Sequence, residues 1–263
     1  MAARAAARTV SAAAELCPGM EVIDVHAHLG RWGYPGSEGV VDELRRLLDR
    51  SGFSKVIISS GMAIAYDVPG GNAEVARAVE SDERIYGSVV FNARDGKESR
   101  EQVERYADHP RFVAAKYHPA YTGLALNAAE NLKVIELIAR KKLPLTFHSW
   151  TGDGAAAAEV ARRFPKLPMI WFHALATDYR KAAELARDLP NVYLDYVTST
   201  QERGKVELLV ERLGADRLLF GTDQSLFEPI RPLGQLIEAE ICERDRRKIL
   251  AGNARELFRF DGR

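Results

Sequence analysis

Short apolar runs alternate with longer amphipathic stretches along almost the whole chain. Eight of these runs are rich in β-branched and aromatic residues, and they recur at intervals of roughly 25–35 residues, which is typical of repeated βα units. They are EVIDVHAH, KVIISSG, IYGSVVFNA, FVAAKYHP, LPLTFHSW, PMIWFHAL, NVYLDYVTS and RLLFGTD. The pattern therefore predicts eight strands, each followed by a helix.

The stretches between the strands have the apolar spacing of helices. In SEGVVDELRRLLDRSG, Leu44 and Leu48 fall on one helical face. Ser37 is predicted to cap the start of this helix, and Gly52 is predicted to end it. The same apolar periodicity occurs in NAAENLKVIELIARKK, TDYRKAAELARDLPN and ERGKVELLVERLGADR.

Eight βα units in a chain of this length predict an α/β protein with the (β/α)8 TIM-barrel architecture. We expect one domain over residues 21–263, preceded by a loosely ordered N-terminal extension over residues 1–20. The segment PLGQLIEAEICERDRRKILAGNARELF follows the eighth strand and predicts two or three extra C-terminal helices. A doubly wound open sheet is the alternative arrangement of the same elements.

The amino-acid composition excludes several classes of binding partner but says little about the fold. The 263 residues contain 37 Lys and Arg and 37 Asp and Glu, so no basic excess exists to attract nucleic acid or an anionic membrane. The two cysteines form no CxxC pattern, and no apolar run approaches the ~20 residues that span a bilayer. We therefore expect a cytoplasmic protein whose partner is a small molecule.

Histidines are concentrated at the predicted strand ends. The chain has six histidines, and five of them end a strand, at positions His26, His28, His118, His148 and His173. Because the active site of a (β/α)8 barrel lies where the strands end, these five imidazoles are predicted to face one opening.

The pair in strand 1 predicts a metal site. Side chains two residues apart on a strand share a face, so His26 and His28 can bind one cation together. By the same alternation, Asp24 is expected to accept a hydrogen bond from an imidazole. His148 and Asp223 supply two further ligands of the kinds that zinc and similar divalent metals take. A single HxH motif is weak evidence, whereas this combination is much more specific.

The quoted motifs also resemble a known family. VIDVHAH, LTFHSW, IWFHAL, LLFGTD and ILAGNARELF are similar to the amidohydrolase superfamily, and within it to the branch that includes aminocarboxymuconate-semialdehyde decarboxylase. The resemblance implies that His26, His28, His148 and Asp223 hold one divalent metal. It also implies that His173 is a catalytic acid–base or carbonyl-polarising group. Asp223, the second catalytic candidate, can accept a proton from the metal-bound water and deliver it to a leaving group.

Several activities are compatible with this resemblance. Our main expectation is hydrolysis of a small-molecule amide, lactone or ester by a metal-activated water. The alternative is a metal-dependent decarboxylase of an unsaturated or aromatic acid, and a non-catalytic metal-binding barrel is the third class. The expected metal is zinc, with manganese, iron or nickel as alternatives. A second metal bridged by carboxylated Lys116 is the less favoured arrangement.

Five residues near the strand ends are candidates for substrate binding, namely Arg31, Trp32, Lys116, His118 and Trp150. Tyr34 and Tyr196 are predicted to join Trp32 and Trp150 in an aromatic pocket wall. The glycine- and proline-containing stretch RWGYPGSEG is a candidate substrate-covering loop. By analogy with other small amidohydrolases, we expect a homodimer.

Overall fold

Eight parallel strands form one sheet in which each strand pairs with the next in sequence. The structure is a computed structural model, and it describes residues 11–32, 40–197, 202–224, 226 and 228–260. The strands are β1 (Ile23–Leu29), β2 (Lys55–Ser60), β3 (Ile85–Val90), β4 (Phe112–Tyr117), β5 (Leu145–His148), β6 (Met169–Phe172), β7 (Val192–Asp195) and β8 (Leu218–Leu219). The prediction of a (β/α)8 barrel is confirmed, and the open sheet is wrong.

The eighth strand is much shorter than its sequence pattern suggests, yet its continuation closes the barrel. Only Leu218–Leu219 pair with β7 as a ladder. The backbone N–H of Val25 donates to the Phe220 carbonyl at 3.0 Å, and Ala27 forms an isolated parallel bridge with Gln224. The segment that carries Asp223 is therefore joined to β1 by backbone hydrogen bonds.

Helices surround the barrel in the predicted positions. They are α1 (Ala12–Leu16), α2 (Val41–Ser51), α3 (Gly61–Ala65), α4 (Val68–Ser81), α5 (Gly96–Tyr106), α6 (Pro119–Thr122), α7 (Ala129–Arg140), α8 (Gly154–Arg163), α9 (Tyr179–Arg187), α10 (Lys205–Leu213), α11 (Ile230–Glu238), α12 (Glu243–Arg247) and α13 (Asn253–Leu257). The last three are the predicted C-terminal helices, and a π-helical turn, Lys248–Gly252, joins α12 to α13.

The ends of α2 show how local sequence sets a helix boundary. Gly52 adopts the left-handed conformation, with φ 73°, that ends the helix as predicted. The predicted cap Ser37 lies outside the described residues, and the N-cap position of α2 is Val40, which makes no side-chain cap.

Two large apolar clusters account for most of the buried core among the described residues. The larger cluster forms an outer layer between the barrel and the helices, and the smaller cluster lies inside the barrel. The inner cluster includes Ile23, Val25 and Phe172 together with Phe258 and Phe260 from the C-terminus. Because the Tyr86 hydroxyl, near the start of β3, donates to the Phe260 carbonyl at 2.9 Å, the C-terminal aromatics close the N-terminal end of the barrel. The opposite end is left for the functional site.

The N-terminal segment is described from residue 11 onward. Ser11 caps α1, and Ala13 and Cys17 are buried against the outer apolar layer. Among the described residues, no helix is long and apolar enough to cross a membrane.

Candidate metal centre

The carboxyl ends of four strands, β1, β4, β5 and β6, bring five histidines to one end of the barrel. His26, His28, His118 and His173 are 7% exposed or less, and His148 is partly buried. The ring centroids of His26 and His28 are 5.3 Å apart, and those of His148 and His173 are 4.6 Å apart. The predicted convergence of imidazoles at the barrel mouth is therefore present in the structure.

A bulge in β1 decides which side chains enter the barrel. Asp24 and Ala27 are paired with Val56 and Ile58, so three steps along β1 face only two along β2. The extra residue shifts the alternation of side chains, so that the consecutive residues Val25 and His26 both lie on the inner side of the barrel. Val25 belongs to the inner cluster, and the His26 ring stacks on the Phe172 ring with centroids 3.6 Å apart.

The expectation that Asp24 accepts from an imidazole is wrong because this bulge places its carboxylate beside the β8 segment. Asp24 is 0% exposed and accepts from the backbone N–H of His26 at 3.0 Å. It also accepts from the Thr222 hydroxyl and backbone N–H and from Gln224 Nε2 at 2.8 Å. Asp24 therefore ties β1 to the residues on both sides of Asp223.

The strand-1 histidines and Asp223 form one compact group. His28 Nε2 is 3.0 Å from Asp223 Oδ1, and His26 Nε2 is 3.5 Å from the same oxygen. One ligand atom from each residue lies within 4.8 Å of the others. The His26 Nε2 atom is buried and makes no hydrogen bond to any described residue. A buried ring nitrogen of this kind requires a partner, and a divalent cation suits two imidazoles and a carboxylate.

His148 lies beside this group and contacts His173. The Val197 carbonyl is 2.7 Å from His173 Nδ1, and a carbonyl can only accept, so His173 carries its proton on Nδ1. His173 Nε2 must then accept from His148 Nδ1, which is 3.1 Å away. The Nε2 lone pair of His148 is left available as a ligand. The structure thus brings three of the four predicted ligands, His26, His28 and Asp223, into one group. The fourth predicted ligand, His148, is hydrogen-bonded to His173, which lies beside that group.

Burial keeps these imidazoles neutral. Desolvation, followed by the charge of Lys116, lowers the pKa of His26 far below its usual value, and desolvation also lowers the pKa of His28 and His148. The pKa of His173 falls to about 4, again chiefly by burial. Neutral imidazole is the form that binds metals.

Asp223 must be ionised to bind a metal, and its surroundings favour the ionised form. Burial alone would raise its pKa, but the hydrogen bond from His28 and the electrostatic effects of His173, His28 and Lys116 together bring the pKa below the usual value. Its backbone adopts φ 58°, a left-handed conformation that Asp tolerates better than most residues. Asp223 is therefore an ionised carboxylate at neutral pH, held in a fixed orientation toward His28.

A sequence model of the amidohydrolase family matches residues 23–260. The chain belongs to the amidohydrolase family. The match covers the whole barrel, including the histidines of β1 and Asp223. No curated protein shows significant sequence similarity to the chain.

Three solved structures show how widely the fold of this amidohydrolase is shared. A 5-carboxyvanillate decarboxylase from Sphingomonas paucimobilis has a TM-score of 0.75 at 16% identity, covering 92% of this chain and 99% of the other. A dihydroxybenzoic acid decarboxylase from Polaromonas sp. JS666, with bound manganese and an inhibitor, has a TM-score of 0.72 at 18% identity, covering 93% and 98%. A probable 2-pyrone-4,6-dicarboxylic acid hydrolase from Acinetobacter baumannii has a TM-score of 0.69 at 15% identity, covering 92% and 100%.

Lys116 lies at the centre of the barrel mouth of this amidohydrolase. Its side chain is 0% exposed, and Nζ lies 4.2 Å above the centroid of the Phe172 ring. Nζ makes no hydrogen bond to any described residue. Burial lowers the pKa of Lys116 to about 7, against the charges of Asp223 and Asp195. The amine is thus poised between its charged and neutral forms.

Four of the predicted substrate-binding residues line the rim. The rings of His118, His148 and Trp150 are stacked in order, with interplanar angles of 14° and 10°. Trp32 packs against His28 with ring centroids 5.0 Å apart, and Arg31 is exposed beside it. A mostly apolar groove of 570 Å³ is lined by Pro119, Ala120, Gly123, Leu124, Ala125, His148, Trp150, Thr151 and Asp153. This groove leads to the His148 edge of the site.

The predicted aromatic wall is only partly correct. Tyr196 is wrong as a wall residue because it is fully buried, and its hydroxyl donates to the Pro232 carbonyl at 2.8 Å. Tyr34 and most of the predicted covering loop lie outside the described residues. Tyr121, which the sequence did not single out, is 41% exposed and packs on both Trp32 and His118.

Asp195 is the main site residue that sequence reasoning missed. It ends β7 and lies 2.7 Å from His26 Nδ1. The signal was available, because Asp195 is a carboxylate at a strand end, as Asp223 is. Together with His26 and His173 it forms a second group of potential ligand atoms within 4.8 Å.

Proposed function

We propose that this amidohydrolase is a metal-dependent hydrolase of a small-molecule amide, lactone or ester. The observation that carries the proposal is the ionised Asp223 carboxylate, which lies 3.0 Å from His28 Nε2 and 3.5 Å from His26 Nε2, an atom that makes no hydrogen bond to any described residue. This arrangement places a proton acceptor beside two neutral imidazoles in a buried site.

The proposed ligands of one divalent metal are His26, His28, His148 and Asp223. The set suits zinc, and manganese is the alternative, since the similar Polaromonas structure contains it. A divalent metal bound there would lower the pKa of a water molecule from about 15.7 toward 7 and polarise a carbonyl group.

Asp223 and His173 are the proposed acid–base residues. Because it is ionised at neutral pH, Asp223 has the free carboxylate oxygen needed to take a proton from the attacking water and return it to the leaving group. His173 donates its Nδ1 proton to the Val197 carbonyl, so its second proton-accepting atom is Nε2, which in this structure accepts from His148 Nδ1.

The proposed substrate lies along the rim between Trp32 and Trp150. The stacked rings of His118 and Trp150 and the apolar groove offer a flat surface for a planar substrate. Lys116 and Arg31 supply positive charge for an anionic group, Lys116 from within the barrel and Arg31 from the exposed rim.

Decarboxylation is the second candidate, and Lys116 is the observation that favours it. A buried amine without a hydrogen-bond partner among the described residues suits a substrate carboxylate. Two of the three similar structures described above are decarboxylases of aromatic acids. The same amine could instead react with CO₂ and bridge two metals, an arrangement that we favour less.

Metal analysis and a substrate panel would test these proposals. Purified protein should contain one equivalent of metal per chain, and two equivalents would overturn the single-metal site. The panel comprises lactones, esters, amides and unsaturated or aromatic carboxylates, with CO₂ release measured in parallel. Hydrolysis without CO₂ supports our main proposal, whereas CO₂ release without hydrolysis supports the second candidate. Retention of both metal and activity in His28→Ala would overturn the site.

A further inference from the structure

One buried carboxylate contacts two of the site's histidines at the same time. Asp195 is 0% exposed, and its Oδ2 atom lies 2.7 Å from His26 Nδ1. Its other oxygen, Oδ1, accepts the backbone N–H of His173 at 2.7 Å. The two carboxylate oxygens are therefore divided between the strand-1 histidine and the histidine that follows β6.

The contact with His26 depends on a glycine in the intervening segment. Asp195 ends β7, and its side chain must pass the β8 segment to reach β1. A Cβ atom on Gly221 would lie 2.8 Å from the His26 Cβ and 2.9 Å from Asp195 Oδ2. Any larger residue at position 221 would therefore occupy the space through which the carboxylate reaches the imidazole.

The contact has a direct consequence for the two nitrogens of His26. If Asp195 accepts the proton of Nδ1, the opposite nitrogen, Nε2, keeps its lone pair. That atom is buried, has no hydrogen-bond partner among the described residues and points toward Asp223. This is the orientation that His26 needs in order to present Nε2 to a cation.

The contact with His173 fixes a strained turn. His173 begins four consecutive non-glycine residues with positive φ, at 69°, 49°, 58° and 55° for positions 173–176. Such conformations cost about 1–3 kcal/mol each and persist only where the surroundings hold them. Asp195 holds the first N–H of this turn, and Ser149 Oγ accepts the N–H of Leu175 at 3.0 Å.

We propose that Asp195 is a positioning residue that keeps the His26 proton on Nδ1 and anchors His173 on the same carboxylate. The inference rests on the proposed function in treating His26 as a ligand and His173 as an acid–base residue. Asp195 would then keep the distance and orientation between the metal ligand and the acid–base residue constant. A carboxylate that orients a ligating imidazole raises metal affinity by about 10–100-fold.

The first test uses the unmodified protein. In metal-free protein at pH 7.5, long-range ¹H–¹⁵N correlation spectra report which ring nitrogen of each histidine carries the proton. We expect His26 to carry it on Nδ1. A proton on Nε2 would overturn the proposal, because Asp195 would then be donating to the ring.

The second test replaces the carboxylate by an amide of the same shape. In Asp195→Asn, either the amide NH₂ donates to His26 Nδ1 and moves the proton to Nε2, or it faces the N–H of His173 and loses that contact. We expect the dissociation constant for Zn²⁺, measured by competition with a fluorescent chelator, to rise at least about 10-fold. Unchanged Zn²⁺ affinity with the His26 proton still on Nδ1 would overturn the proposal.

Two further variants separate positioning from general damage. Asp24→Asn removes an equally buried carboxylate that contacts no imidazole ring, so the His26 proton should stay on Nδ1 even though stability falls. Gly221→Ala leaves Asp195 in place but blocks its path, and it should weaken Zn²⁺ binding as Asp195→Asn does. Normal Zn²⁺ binding by Gly221→Ala would count against the proposal.

These measurements do not depend on turnover. If no substrate class is hydrolysed but Asp195→Asn still weakens Zn²⁺ binding, the proposed function fails while this inference stands. If hydrolysis is found and the His26 proton lies on Nε2, the inference fails while the proposed function stands.

Discussion

At the scale of single residues, His26 uses its two ring nitrogens in opposite ways. Nδ1 faces the Asp195 carboxylate at 2.7 Å, whereas Nε2 is buried near Asp223 without a hydrogen bond to any described residue. Asp223 is ionised because its hydrogen bond from His28, together with the electrostatic effects of the neighbouring histidines and Lys116, outweighs the effect of burial on its pKa. The chemistry of the site is therefore set by which atom of each ring faces a carboxylate.

Asp223→Asn should abolish most of the activity. The amide cannot accept a proton from water, so kcat should fall by roughly 10²–10⁴-fold, and metal affinity should fall because a charged ligand is lost. Steady-state kinetics on the substrate found in the panel, with metal content measured alongside, would check this. Asp188→Asn, on the exposed surface, is the matched control and should keep wild-type kcat. Wild-type kcat in Asp223→Asn would rule out the proposed role.

The backbone of Ala176 offers a test of strain. Its φ of 55° and ψ of −111° are accessible to glycine and costly for alanine. Ala176→Gly should therefore raise the free energy of unfolding by about 1 kcal/mol, as measured by urea denaturation.

Ala161→Gly on α8 is the control for this prediction. Ala161 is 0% exposed in a regular helix, so the same substitution should lower stability by roughly 1 kcal/mol. Equal destabilisation by the two variants would show that position 176 is not strained.

At the scale of elements, the proposed functional residues lie at the ends of strands, and one helix end buries a charge that lowers the stability of the protein. The β1 bulge turns His26 into the barrel, and the short β8 leaves the segment with Gly221 and Asp223 free to pass close to β1. Lys205 is the residue whose buried charge is unfavourable for stability. It is the first residue of α10 and is 1% exposed, although a cation is unfavourable at a helix N-terminus.

Lys205→Met should stabilise the protein at pH 7. Burial lowers the pKa of Lys205 to about 8, against the charges of Asp195 and Glu202. The unfolded chain therefore binds more protons than the folded one between pH 8 and the usual lysine pKa, so the stability of the wild type should rise with pH in this window. At pH 7 the penalty is up to roughly 3 kcal/mol, which the methionine removes.

The pH dependence distinguishes this explanation from better packing of methionine. The gain in unfolding free energy, measured by urea denaturation, should shrink between pH 7 and pH 9.5 if protonation causes it. A gain that stays constant over that range would contradict the pKa argument. Lys166→Met, an exposed control, should change stability little at either pH.

At the scale of the whole molecule, the barrel has one closed end and one open end. The C-terminal residues Phe258 and Phe260 close the N-terminal end with apolar contacts. The opposite end holds buried histidines and carboxylates, which are costly to bury without partners. A metal that binds only the folded state should therefore contribute to the stability of the entire barrel.

Removal of the metal should lower the melting temperature. At a free metal concentration of about 100 times the dissociation constant, binding contributes about 2.7 kcal/mol, which corresponds to a shift of roughly 5–10 °C for a chain of this size. Calorimetry of chelator-treated protein, with and without added Zn²⁺ or Mn²⁺, would measure the shift. His28→Ala should show little shift, whereas a full shift in that variant would place the bound metal elsewhere.

The sequence alone was sufficient to predict the barrel and the set of strand-end histidines. Both depend on local order: apolar runs mark the strands, and parallel strands bring their carboxyl ends to the same face. Four of the five amidohydrolase motifs pointed to the family for the same reason, since they lie at these strand ends, and the fifth, ILAGNARELF, lies in the C-terminal helices.

The tertiary structure decided which atoms meet. A bulge of one residue changed the role of Asp24, and no local pattern in IDVHAH reveals that bulge. Asp195 lies 169 residues from its partner His26, and their contact depends on the space left by Gly221. Periodicity specifies which face of an element is buried, whereas hydrogen bonds between distant strands depend on register and on space, which exist only once the barrel has closed.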